Sequence, residues 1–149
     1  MGRWLGVDLG SKRIGLALSD PRGLLASPAG VLASSGKPEL DATLVLVRAA
    51  ESGATGIVVG LPVNMDGSEG PQASAARRFA HLLRASSLLP IELWDERLST
   101  FQADEHLADA GLSRSARRRR RDAIAAQVML QSFLDARGTT GGSPPQPAR

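Results

Sequence analysis

The chain has 149 residues, 42% of them hydrophobic and 22% charged, which fits one domain able to close a hydrophobic core. It has no cysteine and two histidines, so disulfides, thiol nucleophiles and sulfur- or histidine-rich metal sites are excluded, and any bound metal should be a hard cation on carboxylate oxygens. A formal net charge of +3 beside a pI of about 10.5 reflects clustered arginine, which suits a polyanion or else a solvated surface; aromatics at 3% are too few for a base-stacking platform.

In chain order, residues 4–9 and 14–19 read as two strands of a hairpin joined by the turn Gly10-Ser11-Lys12-Arg13. Alternation puts Leu5, Val7 and Leu9 on one face, with Gly6 and Asp8 on the other. It likewise separates Ile14, Leu16 and Leu18 from Gly15, Ala17 and Ser19, so one face is bulky and apolar. The other carries small residues around one carboxylate, which leaves space for an ion and a substrate. A third strand is expected over 24–32, interrupted by Pro28. Leu40, Leu44 and Val47 recur at helical spacing, which predicts a helix over 38–52 ending at Gly53.

Gly56 to Gly60 is an apolar run of the buried parallel-strand type, ended by Leu61-Pro62, and Asn64 to Gly67 is turn chemistry. Ala76, Phe79, Ala80 and Leu83 mark a helix over 71–86, and Ile91 to Glu96 read as a strand. Ser99 to Gln102 has the form of a capping box opening a helix that stops near Gly111. A last helix over 114–136 carries the run Arg117, Arg118, Arg119, Arg120 and Arg121. Residues 1–137 are expected to form a single domain and 138–149 a disordered Gly- and Pro-rich tail. Alternating helices and strands after a hairpin argue for an α/β mixed sheet with helices on its faces. Neither a signal peptide nor a bilayer-length apolar stretch is evident, so the expected location is cytoplasmic, with no membrane partner.

Three acids stand where burial is expected. Asp8 lies in an apolar strand, Glu96 ends the last strand beside Asp95, and Asp122 shares a helical stripe with Ala126, Met129 and Phe133. Adjacent strand residues point to opposite faces, so only one of Asp95 and Glu96 can join Asp8. Close carboxylates resist ionising together, and a divalent cation removes that conflict. Each acid also has a plainer use. Asp8 can cap the turn at Gly10 and Ser11, Glu96 can pair with Arg97 or Arg13, and Asp122 can be the N-terminal charge of a helix starting after the arginine run.

Four blocks resemble the YqgF/RuvX family of Holliday junction resolvases or pre-16S rRNA nucleases. They run from Val7-Asp8 through Arg13 to Asp20, from Val59-Gly60 to Gly67, from Asp95-Glu96-Arg97 to Thr100 with Ala103, and from Asp122 through Ala126 to Leu134. They follow the family's order and span the chain apart from its tail. The resemblance implies a ribonuclease H-like mixed five-stranded sheet, its first three strands antiparallel and the rest parallel. It implies Asp8, Glu96 and Asp122 as catalytic, metal-binding acids for Mg²⁺ or Mn²⁺. Gly60, Leu61, Pro62, Asn64 and Gly67 then form a loop beside the site. The implied activity is cleavage of structured nucleic acid, favouring the 5′ end of pre-16S rRNA. The dense arginine block before Asp122 departs from the pattern.

In this reading Lys12 and Arg13 hold a flanking phosphate, and Arg97 with Arg117 to Arg121 adds backbone contacts that weaken with salt. Asp95 points away and orients a neighbour. Two other functions compete: a resolvase of branched four-way DNA, and a non-catalytic RNA-binding factor of ribosome assembly. A resolvase favours a two-fold dimer, and no long apolar surface helix declares one, so monomer and homodimer both stay open.

Overall fold

Period-two alternation builds the first three strands as an antiparallel meander. In the computed structural model, which describes residues 2–99 and 111–139, these are β1 (Trp4–Leu9), β2 (Arg13–Ser19) and β3 (Ala26–Ala33). The Gly10 N–H donates to the Arg13 carbonyl at 2.8 Å and closes the first turn. The Asp20 carboxylate closes the second by accepting from the Leu24 and Leu25 N–H groups at 2.7 and 2.9 Å. Pro28 is tolerated because β3 is the sheet edge and the β2–β3 register shifts at Leu16/Ala17.

Then follow α1 (Pro38–Ser52), β4 (Gly56–Leu61), α2 (Pro71–Ser86), β5 (Ile91–Asp95), a short 3₁₀ turn (Glu96–Leu98) and α3 (Arg114–Thr139). Proline opens α1 and α2, and Gly53, at φ 73°, ends α1 in the left-handed conformation. β4 pairs in parallel with β1 and with β5, giving the order β3-β2-β1-β4-β5. The mixed five-stranded sheet is the one the sequence implies.

The sheet's two faces have different coverings. Leu5, Val7, Ile14, Leu16, Ile57 and Val59 pack under α1 and α2 with Val45, Phe79 and Leu83. Trp4, Ala17 and Val58 pack under α3 with Met129, Leu130 and Phe133. Each Val, Leu, Ile, Met or Phe side chain fully removed from water there contributes about 1.5–3 kcal/mol. Gln127 and Gln131 tie α3 to the edge strand, bonding both polar groups of Ala26's backbone at 3.1 and 2.9 Å.

Three expectations need correction. The small-residue face is largely filled by α3: a Cβ at Gly6 would stand 2.9 Å from the Leu130 Cβ, so glycine there serves helix approach. Helix α1 forms over the expected residues, but Leu40, Leu44 and Val47 are 46%, 38% and 47% exposed, and Ala42, Val45 and Ala49 face the core. An apolar surface helix is therefore present after all. The last helix runs to Thr139, past its expected end at 136. The helix expected over 99–111 falls mostly outside the described residues, as does the tail from 140 onward. Among the described residues no helix is long and apolar enough to cross a membrane.

Candidate active site

Asp8 is the penultimate residue of the central strand, and glycine flanks it on both sides. Gly15 is its partner on β2, and Gly60 lies on β4 one residue beyond the Val7–Val59 pair. Gly60 leaves room for the side chain of Glu96, and Gly15 for the backbone of α3 at Asp122. A Cβ at Gly15 would lie 2.2 Å from the main-chain oxygen of Asp122, and one at Gly60 would lie 2.3 Å from Glu96 Oε2. Sheet, helix and turn thus approach one point because two neighbouring strands carry no side chain there.

The turn bearing Glu96 is fixed to α3. Trp94 Nε1 donates to Ser132 Oγ at 3.0 Å, and that hydroxyl donates to the Leu98 carbonyl at 2.9 Å. Asp8 and Glu96 line a cavity of about 220 Å³ with Ser99, Ala125, Val128 and Met129. Burial raises the Asp8 carboxyl from its ordinary 3.8 to about 8, with further contributions from the Glu96 charge, from the hydrogen bond to Glu96 and from the Asp122 charge. The Asp8 carboxyl thus holds its proton into the neutral range in the metal-free protein.

Asp122 sits two turns inside α3. Ser113 caps that helix, its Oγ accepting from the Ala116 N–H at 3.1 Å, so Asp122 is not an N-terminal charge. Arg13 Nε donates to Asp122 Oδ2 at 2.5 Å, with both side chains roughly one-third exposed. Arg13 therefore serves Asp122 and not Glu96. Arg97 likewise serves Asp95, whose carboxylate accepts from the Arg97 backbone N–H at 2.9 Å and from Nη2 at 2.8 Å. The same guanidinium reaches the carbonyls of Asn64 and Met65 at 3.4 and 3.5 Å, tying the Gly60–Gly67 loop beside the acids. The loop is also tied internally: Gly67 N–H donates to the Asn64 carbonyl, and Asp66 Oδ1 accepts from Ser68. Leu61 is buried and Pro62 half-buried beneath it.

Lys12 is exposed in the β1–β2 turn, and Arg117 through Arg121 are all exposed along the first turns of α3. Helical geometry places Arg118 and Arg119 on the side of Asp122, one turn before it. Ser99 is the residue that sequence reasoning assigned only to a cap. Its buried hydroxyl has no hydrogen-bond partner among the described residues, and it lines the acid cavity. Its position within the Asp95–Thr100 block was the available signal.

Oxygen donors without sulfur or imidazole suit Mg²⁺ or Mn²⁺, and a desolvated carboxyl pressed against a second acid fits a cation better than an empty space. Among the described residues, however, no three acidic or histidine side chains stand close enough to form a ready-made metal site, because Asp122 is turned onto Arg13.

Gly60→Ala should be a sharp probe. The added methyl meets the far end of a side chain, which can swing away, so the fold should lose less than about 1.5 kcal/mol of stability while Glu96 leaves the site. Divalent-ion affinity measured by calorimetry should fall by about tenfold or more, and unchanged affinity would show that Glu96 is not a ligand.

A model of the family described as RuvX, Holliday junction resolvase, matches residues 2–136. A protein of Pelotomaculum thermopropionicum named as a candidate pre-16S rRNA nuclease is 48% identical over 136 residues, spanning 91% of this chain and 88% of its own. One of Myxococcus xanthus with the same name is 49% identical over 135 residues, spanning 90% and 88%. Among solved structures, RuvC of Thermus thermophilus in complex with a Holliday junction substrate superposes with TM-score 0.57 at 16% identity, covering 94% of this chain and 98% of its own. RuvC of the same organism in a second structure gives TM-score 0.52 at 15% identity, with 93% and 97% covered. The structural likeness establishes a ribonuclease H-like fold of the RuvC kind.

Proposed function

The chain belongs to the RuvX family, and from that premise we propose that it is a divalent-metal-dependent nuclease that hydrolyses phosphodiester bonds in structured RNA, processing the 5′ end of pre-16S rRNA in the cytoplasm. The observation that carries the reading is the meeting of Asp8 and Glu96 in one cavity beneath the helix of Asp122, with glycine on both flanking strands. Only a site that gains from crowded negative charge gives a reason for this arrangement.

Asp8, Glu96 and Asp122 are the residues that would hold Mg²⁺ or Mn²⁺, which when bound supplies Lewis acidity for attack of water on phosphorus and charge for the departing oxygen. Asp8, deepest and most desolvated, sets the floor of the site. Glu96 faces it from the fixed turn after β5. Arg13 positions Asp122 at the rim, where that carboxylate would be divided between the guanidinium and a bound cation. Asp95 holds Arg97, and Arg97 holds the Asn64–Gly67 loop as a wall against which a phosphate strand can lie. Lys12, with Arg117 to Arg121, forms the cationic approach, and these residues position the backbone without reading bases.

A resolvase acting on four-way DNA would use the same acids. It is favoured by one observation, the exposed apolar face of α1, which offers the surface a two-fold dimer needs. A non-catalytic RNA-binding factor has no use for the crowded acids.

The test is a side-by-side assay of the purified chain with Mg²⁺ on precursor 16S rRNA and on four-way DNA. The proposal expects faster cleavage of the RNA, with activity falling steeply with salt. Replacing Arg117 to Arg121 by alanine should weaken binding. It should also flatten the salt dependence, by up to about one unit of logarithmic slope for each phosphate no longer neutralised. Cleavage of DNA alone would select the resolvase reading, and binding without cleavage of either would select the non-catalytic one.

A further inference from the structure

The apolar stripe that announces α1 in the sequence does not face the protein's own core. Leu40, Leu44 and Val47 are all exposed, while Ala42, Val45 and Ala49 on the opposite side fill the space under α1. The stripe extends at both ends. Lys37, the residue capping the helix, and Glu51, in its last turn, continue the spacing of three, four, three and four residues. That is a heptad seam of the kind that pairs helices.

The seam is symmetric in position and antisymmetric in charge about Leu44. Lys37 and Glu51 each lie seven residues from it, both are exposed, and neither side chain forms an ion pair among the described residues. A second copy laid antiparallel puts Leu44 on Leu44, Leu40 beside Val47, and Lys37 against Glu51 at both ends. A parallel arrangement would set lysine on lysine and glutamate on glutamate. Charge complementarity therefore selects both the partner and the orientation.

We propose that α1 is a homodimer interface, in which two copies of this chain pair antiparallel about a two-fold axis through Leu44. α1 covers the sheet face opposite α3, so the acid cavity of each copy stays open, and the two sites face away from the seam. A single helix seam is smaller than a standard interface of about 800 Å² per partner, so the dimer is a weak one whose population follows concentration.

Sedimentation velocity of the full chain over a roughly hundredfold concentration range reaching the millimolar tests this directly. The wild-type chain should shift from monomer to dimer. Leu44→Glu, at an exposed position and therefore folded by circular dichroism, should remain monomeric throughout. Lys37→Glu and Glu51→Lys should each weaken the dimer by about fivefold or more, and the doubly exchanged chain should regain it. A wild-type chain that stays monomeric, a dimer that Leu44→Glu leaves intact, or a double exchange that restores nothing would each overturn the proposal. None of these outcomes depends on whether the protein cleaves nucleic acid.

Discussion

Asp8→Asn should abolish metal-dependent cleavage and, in the same protein, raise the stability of the metal-free fold at neutral pH. The first effect follows from removing the proposed metal ligand at the floor of the site, and a loss of at least about a thousandfold is expected. The second follows from the raised carboxyl. The folded protein keeps the Asp8 proton up to about pH 8, whereas the unfolded chain releases it near 3.8. Between those values the folded state binds more protons than the unfolded state, so stability falls as pH rises. The contribution is fully present below about pH 4 and is gone above about pH 8.

Each pH unit inside that window costs at most about 1.4 kcal/mol. Asparagine keeps the shape and can still donate to Glu96, but it never ionises. Thermal melts without metal should therefore show the variant and the wild type nearly alike at pH 4. At pH 8 the variant should be more stable by about 2–4 kcal/mol. Added Mn²⁺ should raise the melting temperature of the wild type and leave the variant unmoved. A variant less stable than the wild type at pH 8 would show that the Asp8 carboxylate is already balanced by some other group.

Gly15→Ala should act in the opposite direction and nearly as strongly. The new methyl would lie 2.2 Å from the Asp122 main-chain oxygen and 2.8 Å from its carbonyl carbon. Neither atom can swing aside, so α3 must retreat from the sheet along the stretch that seats Ala123, Ala126 and Leu130. A loss of about 2–4 kcal/mol in urea unfolding is expected, together with loss of cleavage. Gly60→Ala makes the control, since its methyl meets only the end of the Glu96 side chain. Comparable stability for Gly15→Ala and the wild type would mean that the helix does not press on β2 as described.

Much of this was legible in the sequence, for physical reasons that also mark its limits. Asp8 in an apolar strand is conspicuous because an ionised carboxylate there needs compensation. Period-two alternation lets only one of Asp95 and Glu96 reach Asp8, and Glu96 is the one that shares its cavity. The geometry behind it differs, because Glu96 has left the strand and lies in a 3₁₀ turn, with Asp95 capping that turn. The glycines of the site face were legible as small residues but not as landing places for Asp122 and Glu96, since those contacts join distant segments. For the same reason the Arg13–Asp122 pair, 109 residues apart, could not be read. Helix α1 was located by a stripe that faces outward, because periodicity reports that residues share a face without saying what covers it.

The central proposal is that Asp8 and Glu96, meeting where glycine leaves gaps in the sheet, hold a divalent cation that draws Asp122 away from Arg13. Anomalous diffraction from a Mn²⁺-soaked crystal of the wild-type chain tests it most directly. The expected map places manganese between Asp8 and Glu96, with Asp122 turned from Arg13 towards it. Manganese bound elsewhere, or acids unchanged with no anomalous peak between them at saturating Mn²⁺, would contradict the account.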